Sequence, residues 1–112
     1  MVFFETGSAR LSQMAEMVLD DAMRWLRSAG AEHIWVGGYT DSVGSEAANL
    51  RLSRRRAETV RDSLARRGFP ADRIEVRALG ESQPLVETGD GVAEPQNRYA
   101  VVMIDRMSPR AE

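Results

Sequence analysis

Asp41, Asn49 and Arg56 are the residues whose types and spacing could recognise a ligand. Asp41 falls in the turn-rich stretch Tyr39-Thr40-Asp41-Ser42-Val43-Gly44, which follows an apolar run and leads into a segment of helical spacing. That segment places Asn49 almost directly above Arg56, about two helical turns apart on one face. On local sequence alone, Asp41 reads as an Asx-type turn capping the amides of its own loop. A guanidinium on a neighbouring wall changes the chemistry, because carboxylate and arginine together make a site of both signs. The carboxylate can pair an ammonium while the planar fork grips a carboxylate, so the pair suits a zwitterion. It suits acid–base catalysis poorly, since Arg56 would lower the pKa of a nearby Asp41.

Other chemistry is scarcely available. The chain has 112 residues, no cysteine and a single histidine, His33, which leaves little for a metal centre, a disulfide framework or a catalytic triad. His33 itself reads as a strand-edge residue. No glycine-rich phosphate loop is present, and a pair of carboxylates for glycoside hydrolysis could be assembled only arbitrarily. A binding module is therefore expected rather than an enzyme, with no cofactor and no metal. Fifteen basic residues, all arginine, face 17 acidic ones for a net charge of -2, which argues against a bulk nucleic-acid binder. No apolar run approaches the roughly 20 residues of a membrane span. The opening Met1-Val2-Phe3-Phe4-Glu5 lacks the regions of a signal peptide. A cytoplasmic protein and a domain of a longer exported chain both stay open.

The elements that must position these residues are readable from periodicity. Val2 to Phe4 is a short first strand. Leu11, Met14, Ala15, Val18, Leu19, Ala22, Trp25 and Leu26 recur at three and four, predicting a helix with Ser12 as N-cap and Gly30 as stop; its methionines Met14, Met17 and Met23 are expected to fill the core. His33 to Gly38 reads as a buried strand, and Gly44 as a positive-φ residue before the next helix. That helix is expected from about Ser45 to Arg67, ended by Gly68 with Pro70 beyond. Ile74, Val76 and Ala78 alternate against Arg73, Glu75 and Arg77, as in a strand. Gly80 to Asn97 shows little regular pattern, and Tyr99 to Ile104 is a last buried strand. Two strand–helix–strand units predict an α+β fold, with both helices packed against a mixed sheet.

The second helix is rich in arginine, which suggests an anionic-polymer, nucleic-acid or membrane surface. Leu50, Ala57, Val60 and Leu64 form its apolar stripe with Ser53 inside it, and Arg51, Arg55 and Arg66 project away. A solvated face is the plain explanation, and the aromatic interleaving of a single-strand binder is missing. Arg56 lies just off the stripe, at a seam between core and solvent where packing could hold its fork in place.

At these residues the sequence resembles the OmpA-like C-terminal domain family, which includes the peptidoglycan-binding domains of OmpA, the peptidoglycan-associated lipoprotein and MotB. The resemblance rests on Gly38-Tyr39-Thr40-Asp41, Gly44, Asn49, Leu52-Ser53 and Arg56-Ala57. It continues through Ala71-Asp72-Arg73-Ile74, Gly80-Glu81-Ser82 with Pro84, and Asn97-Arg98. It implies a β-α-β-α-β-β two-layer sandwich, with two main helices on a mixed four-stranded sheet, over residues 1–106 and a polar tail over 107–112. It also implies non-covalent binding of peptidoglycan through the diaminopimelate of its stem peptide, anchoring an envelope protein to the cell wall. Asp41 and Arg56 would hold the amino-acid end of diaminopimelate, and Thr40, Asn49 and Arg98 would supply further polar contacts. The implied setting is the periplasmic side of an outer-membrane-associated protein, without nucleic acid and without membrane insertion by this segment, a homodimer being left open. Three positions depart from the family pattern. Tyr39 stands where histidine is common, Tyr99 replaces the second arginine of Asn-Arg-Arg, and 91–96 lacks the usual Glu-Gly-Arg. Tyr99 and 91–96 motivate an alternative, the same fold used as a protein-interaction domain without wall binding.

Overall fold

Each helix begins at a serine. Ser12 Oγ accepts the Ala15 amide at 3.0 Å and opens α1 (Gln13–Ser28), with Glu16 in the first turn and Arg27 in the last to suit the helix dipole. Ser45 Oγ accepts the Ala48 amide at 3.1 Å and opens α2 (Glu46–Arg66). Gly30 (φ 64°) and Gly68 (φ 107°) follow the two helices in a backbone region that side chains disfavour. Both helices thus lie within about two residues of their expected limits. The computed structural model describes residues 2–4, 8–40, 45–80 and 99–104. The expected loop over 80–97 beyond Gly80, the positive φ at Gly44 and the tail over 107–112 lie outside these.

Four strands complete the fold: β1 (Val2–Phe3), β2 (Ile34–Tyr39), β3 (Ile74–Gly80) and β4 (Tyr99–Ile104). Their order is β1-β4-β2-β3, parallel between β2 and β3 and antiparallel elsewhere, so the sheet is mixed. This is the expected α+β arrangement. A short 3-10 turn, Ala71–Arg73, precedes β3 and takes Arg73 out of the strand that its alternation had suggested. His33, exposed, stands just before β2 rather than within it.

The core lies between the helices and one face of the sheet. Ile34 and Val36 of β2, Ile74 of β3, Ala100 of β4 and Val2 of β1 meet Leu19, Met23 and Leu26 of α1 and Ala57, Val60 and Leu64 of α2. Two sequence expectations are corrected here. Met23 is core, but Met14 is 75% exposed and Met17 also points to solvent, because one lies a residue and the other two residues off the buried Ala15-Leu19-Met23-Leu26 line. In α2 the buried line runs Asn49-Ser53-Arg56-Ala57-Val60-Ser63-Leu64, and Leu50 is 50% exposed. The stripe is rotated toward polar residues because the sheet beneath offers polar partners.

Arg67, just past α2, joins the helices. Its Nε donates to Asp20 at 2.7 Å, and its Nη2 donates to the Glu16 carbonyl at 3.1 Å and the Glu16 carboxylate at 3.2 Å. These partners hold the Arg67 pKa above its ordinary value, the Asp20 hydrogen bond contributing most. Arg27 Nη2 in turn donates to the Arg67 carbonyl at 2.9 Å.

The tightest approach is between α2 and β2. A Cβ placed on Gly38 would lie 1.9 Å from the Ser53 carbonyl oxygen, 2.8 Å from its carbon and 3.1 Å from the Ala57 nitrogen, all backbone atoms. Gly38→Ala should therefore cost about 3 kcal/mol or more, since helix and sheet must separate. Gly30→Ala, where no atom lies within 4 Å and only the positive φ is strained, should cost about 1 kcal/mol. Urea denaturation of both variants beside wild type checks the order; equal losses would mean that close approach is not the constraint.

Candidate functional site

The end of β2 and the first turns of α2 form one corner, and hydrogen bonds fix it. The Thr40 amide donates to the Gly80 carbonyl at 2.8 Å, and the Gly80 amide donates to Ser53 Oγ at 3.0 Å. Ser53 Oγ donates in turn to the Leu50 carbonyl at 2.8 Å. The ends of β2 and β3 are thereby clamped to the helix at Thr40, the residue just before Asp41 in the chain.

Arg56 supplies the second clamp. Its Nε donates to the Ser8 carbonyl at 2.8 Å and its Nη1 to the Tyr39 carbonyl at 3.0 Å, and its guanidinium lies 5.1 Å from the centroid of the Phe4 ring. The residue is 0% exposed, the largest fully buried side chain described. The seam position expected from sequence is thus corrected: tertiary packing encloses Arg56 completely, because the segment at Ser8 and the ring of Phe4 close over the edge of the helix. A buried charge of this kind persists only when its donors are met by acceptors.

Of the five residues expected at the site, Thr40 and Arg56 lie at this corner, and Asn49 is buried about two helical turns before Arg56. Thr40 adjoins the carbonyl that Arg56 holds, and Asn49 is buried on the Arg56 side of the helix. Asp41 and Arg98 lie outside the described residues. Thr40 is 2% exposed, and its Oγ1 has no hydrogen-bond partner among the described residues. A buried hydroxyl left unpaired costs about 1–3 kcal/mol, so its place beside the loop is informative. Sequence reasoning placed Ser53 in the apolar stripe without giving it a role. The signal was present, however: Ser53 and Ala57 are small residues four apart, and they face Gly38. Among the described residues, no cluster of histidine, cysteine or carboxylate side chains could hold a metal ion.

Residues 3–98 match the model of the OmpA family. The chain belongs to the OmpA family. It is 37% identical over 110 residues to outer membrane protein A of Escherichia coli O157:H7, covering 96% of this chain and 31% of that protein. It is 33% identical over 103 residues to the peptidoglycan-associated lipoprotein of Rhizobium meliloti, covering 92% of this chain and 58% of that protein. The crystal structure of the peptidoglycan-associated lipoprotein from Burkholderia pseudomallei superposes with a TM-score of 0.80 at 30% identity, covering 91% of this chain and 86% of that one. This OmpA-family domain thus spans about a third to three fifths of the two curated relatives' lengths.

Two departures from the family pattern meet in the structure. Tyr39 and Tyr99 lie on the sheet face away from the helices and stack with ring centroids 4.4 Å apart. They are only 5% and 4% exposed. Tyr99 is therefore packed into the sheet and offers little surface to a protein partner, which removes one motive for the interaction-domain alternative. Burial pushes both phenols above their ordinary 10.0; the Arg77 charge partly opposes this for Tyr39, and Tyr39 adds to it for Tyr99.

Two expected outcomes follow from this geometry. Arg56→Ala strips two backbone carbonyls of their donor and leaves a cavity, so it should destabilise the OmpA-family domain by about 3 kcal/mol or more, with Arg56→Lys intermediate. Thermal melts followed by circular dichroism check this, and melts that overlay wild type would refute the clamp. The chain's two tyrosines should titrate above 10.0 in the native state, as read by phenolate absorbance. Below that value both states keep the phenols protonated and their contribution to stability is constant. Above it the unfolded chain loses its protons first, so stability falls as pH rises toward the native values. Titration at the value of free tyrosine would overturn the packing assignment.

Proposed function

We propose that this OmpA-family domain binds peptidoglycan non-covalently through the diaminopimelate of the stem peptide, and that it does so as the periplasmic, wall-anchoring part of an outer-membrane-associated protein. Asp41 pairs the ammonium of the amino-acid end and Arg56 its carboxylate; Thr40, Asn49 and Arg98 add polar contacts. The role is binding, with no chemical step assigned to any residue. The names of the relatives, an outer membrane protein and a peptidoglycan-associated lipoprotein, support the wall and the envelope setting. No helix among the described residues is long and apolar enough to cross a membrane.

What supports the reading is that Thr40, Asn49 and Arg56 are all buried and that Arg56 Nη1 holds the Tyr39 carbonyl next to Thr40. Arg56 is fixed through Nε and Nη1 before any ligand arrives, and a cation held in one rotamer binds without paying the ordering entropy of a surface arginine. The hydroxyl of Thr40 is a buried group that a polar ligand could satisfy.

Because Arg56→Ala perturbs the fold, Asp41→Ala is the cleaner test. Wild type should co-sediment with purified insoluble peptidoglycan, and free diaminopimelate should release it while lysine, which lacks the second amino-acid end, should not. Asp41→Ala should bind about tenfold more weakly or worse, the loss of one charge-assisted pair. Asp41→Ala binding like wild type would refute the site. Wild type remaining in solution would instead favour the fold serving as a protein-interaction domain.

A further inference from the structure

The arginines of α2 divide into two populations. Arg56 is buried and Arg61 pairs with Asp62 at 3.0 Å, whereas Arg66 at the helix end and the trio Arg51, Arg54 and Arg55 are exposed and make no ion pair among the described residues. Together with Leu50 and Glu58 the trio lines a shallow groove of about 300 Å³. No ion pair joins Glu58 to any of them, so the groove keeps a net positive charge on a chain whose total is -2. Arg51 stands three and four residues from Arg54 and Arg55. Like charges at those spacings disfavour the helix they sit on, and an isolated fold would gain by alternating their signs.

The groove reaches the end of β3 through Leu50. Leu50, half exposed, forms its wall and lies against Gly80, where a Cβ would come within 3.6 Å of Leu50 Cδ1. Gly80 is the residue whose carbonyl holds the Thr40 amide. Leu50 therefore borders both the arginine groove and the residue that holds the Thr40 amide.

We propose that Arg51, Arg54 and Arg55 form a second contact surface, which grips free carboxylates of the same wall polymer outside the stem-peptide pocket. The proposal rests on the reading of that pocket as a peptidoglycan site. Its occupant is set by charge complementarity: guanidinium forks match carboxylates two oxygens at a time, and a peptide-bearing wall polymer presents carboxylates at intervals along its length. Three cations around one leucine make too small an apolar insert for a membrane surface. They also lack the aromatic platforms of a single-strand nucleic-acid groove. Linking two modest contacts through one polymer raises the apparent affinity without either becoming strong.

The test compares wild type with the triple variant Arg51→Gln, Arg54→Gln, Arg55→Gln on three probes: insoluble peptidoglycan, a soluble fragment of one disaccharide with one stem peptide, and vesicles of anionic phospholipid. The side chains are solvent-facing and without ion-pair partners among the described residues, so the fold should persist; circular dichroism checks it, and the single variant Arg51→Glu gives a second reading. The triple variant should bind insoluble peptidoglycan about tenfold more weakly at low salt, the gap closing by about 0.5 M salt, while binding the soluble fragment like wild type. Unchanged affinity for the insoluble wall would overturn the proposal. So would an equal loss on the soluble fragment, which would make the arginines part of the pocket, or a loss confined to the vesicles, which would assign them to a membrane. Failure of the pocket reading is separable, because it shows as Asp41→Ala retaining wild-type binding while the triple variant loses it.

Discussion

The contact between the backbone of α2 and the backbone of β2 at Gly38 is what the rest of the structure depends on. A helix normally stands off from a sheet by the length of two side chains, but here the Ser53 carbonyl sits where a Cβ would be. That intimacy lets a residue as short as serine reach the Gly80 amide and brings Arg56 within reach of the Tyr39 carbonyl. Lifting the helix by one methyl group would lengthen both bonds beyond usefulness. Glycine in the strand and serine and alanine in the helix are thus requirements of the same geometry.

Burying a guanidinium is expensive, and the fold meets the cost with acceptors drawn from distant parts of the chain. Phe4 and Ser8 lie between β1 and α1 and Tyr39 ends β2, so one side chain ties the N-terminal stretch to the end of a central strand. Polar groups of a helix usually face water; on α2 they occupy the inside as well, and the clearest leucine of the first turns is pushed outward. Such an inversion is what a site requires when its polar groups must be rigid and shielded from solvent.

Charge on the outside is sorted by element. Arg67 gathers Glu16 and Asp20 at one end of the molecule, joining the two helices. Arg77 lies over the Trp35 ring at 4.4 Å and donates to Glu75 at 2.8 Å, and that hydrogen bond holds the Glu75 carboxyl below its ordinary pKa. Arg51, Arg54 and Arg55, without ion pairs among the described residues, are left as a positive surface around Leu50. The same helix therefore presents a buried cation toward the sheet and a cluster of exposed ones toward solvent.

Sequence by itself determined both helices to within about two residues of their ends, through serine caps and glycine stops, and it determined β4, because these are local signals of period and turn chemistry. It also brought Asn49 and Arg56 to attention, since a seven-residue spacing puts them on one face, whereas Thr40 came from the resemblance to the OmpA-like family. Only the tertiary structure decided that Asn49 and not Leu50 faces inward, that Met14 and Met17 are exposed while Met23 is core, and that Tyr99 stacks on Tyr39. It alone decided that Arg56 is enclosed. The reason is common to all of these: periodicity fixes which residues share a face, but which face turns inward depends on the partners waiting there. For α2 those partners were a carbonyl at Ser8, a carbonyl at Tyr39 and the Gly80 amide, each contributed by a part of the chain far from the helix itself.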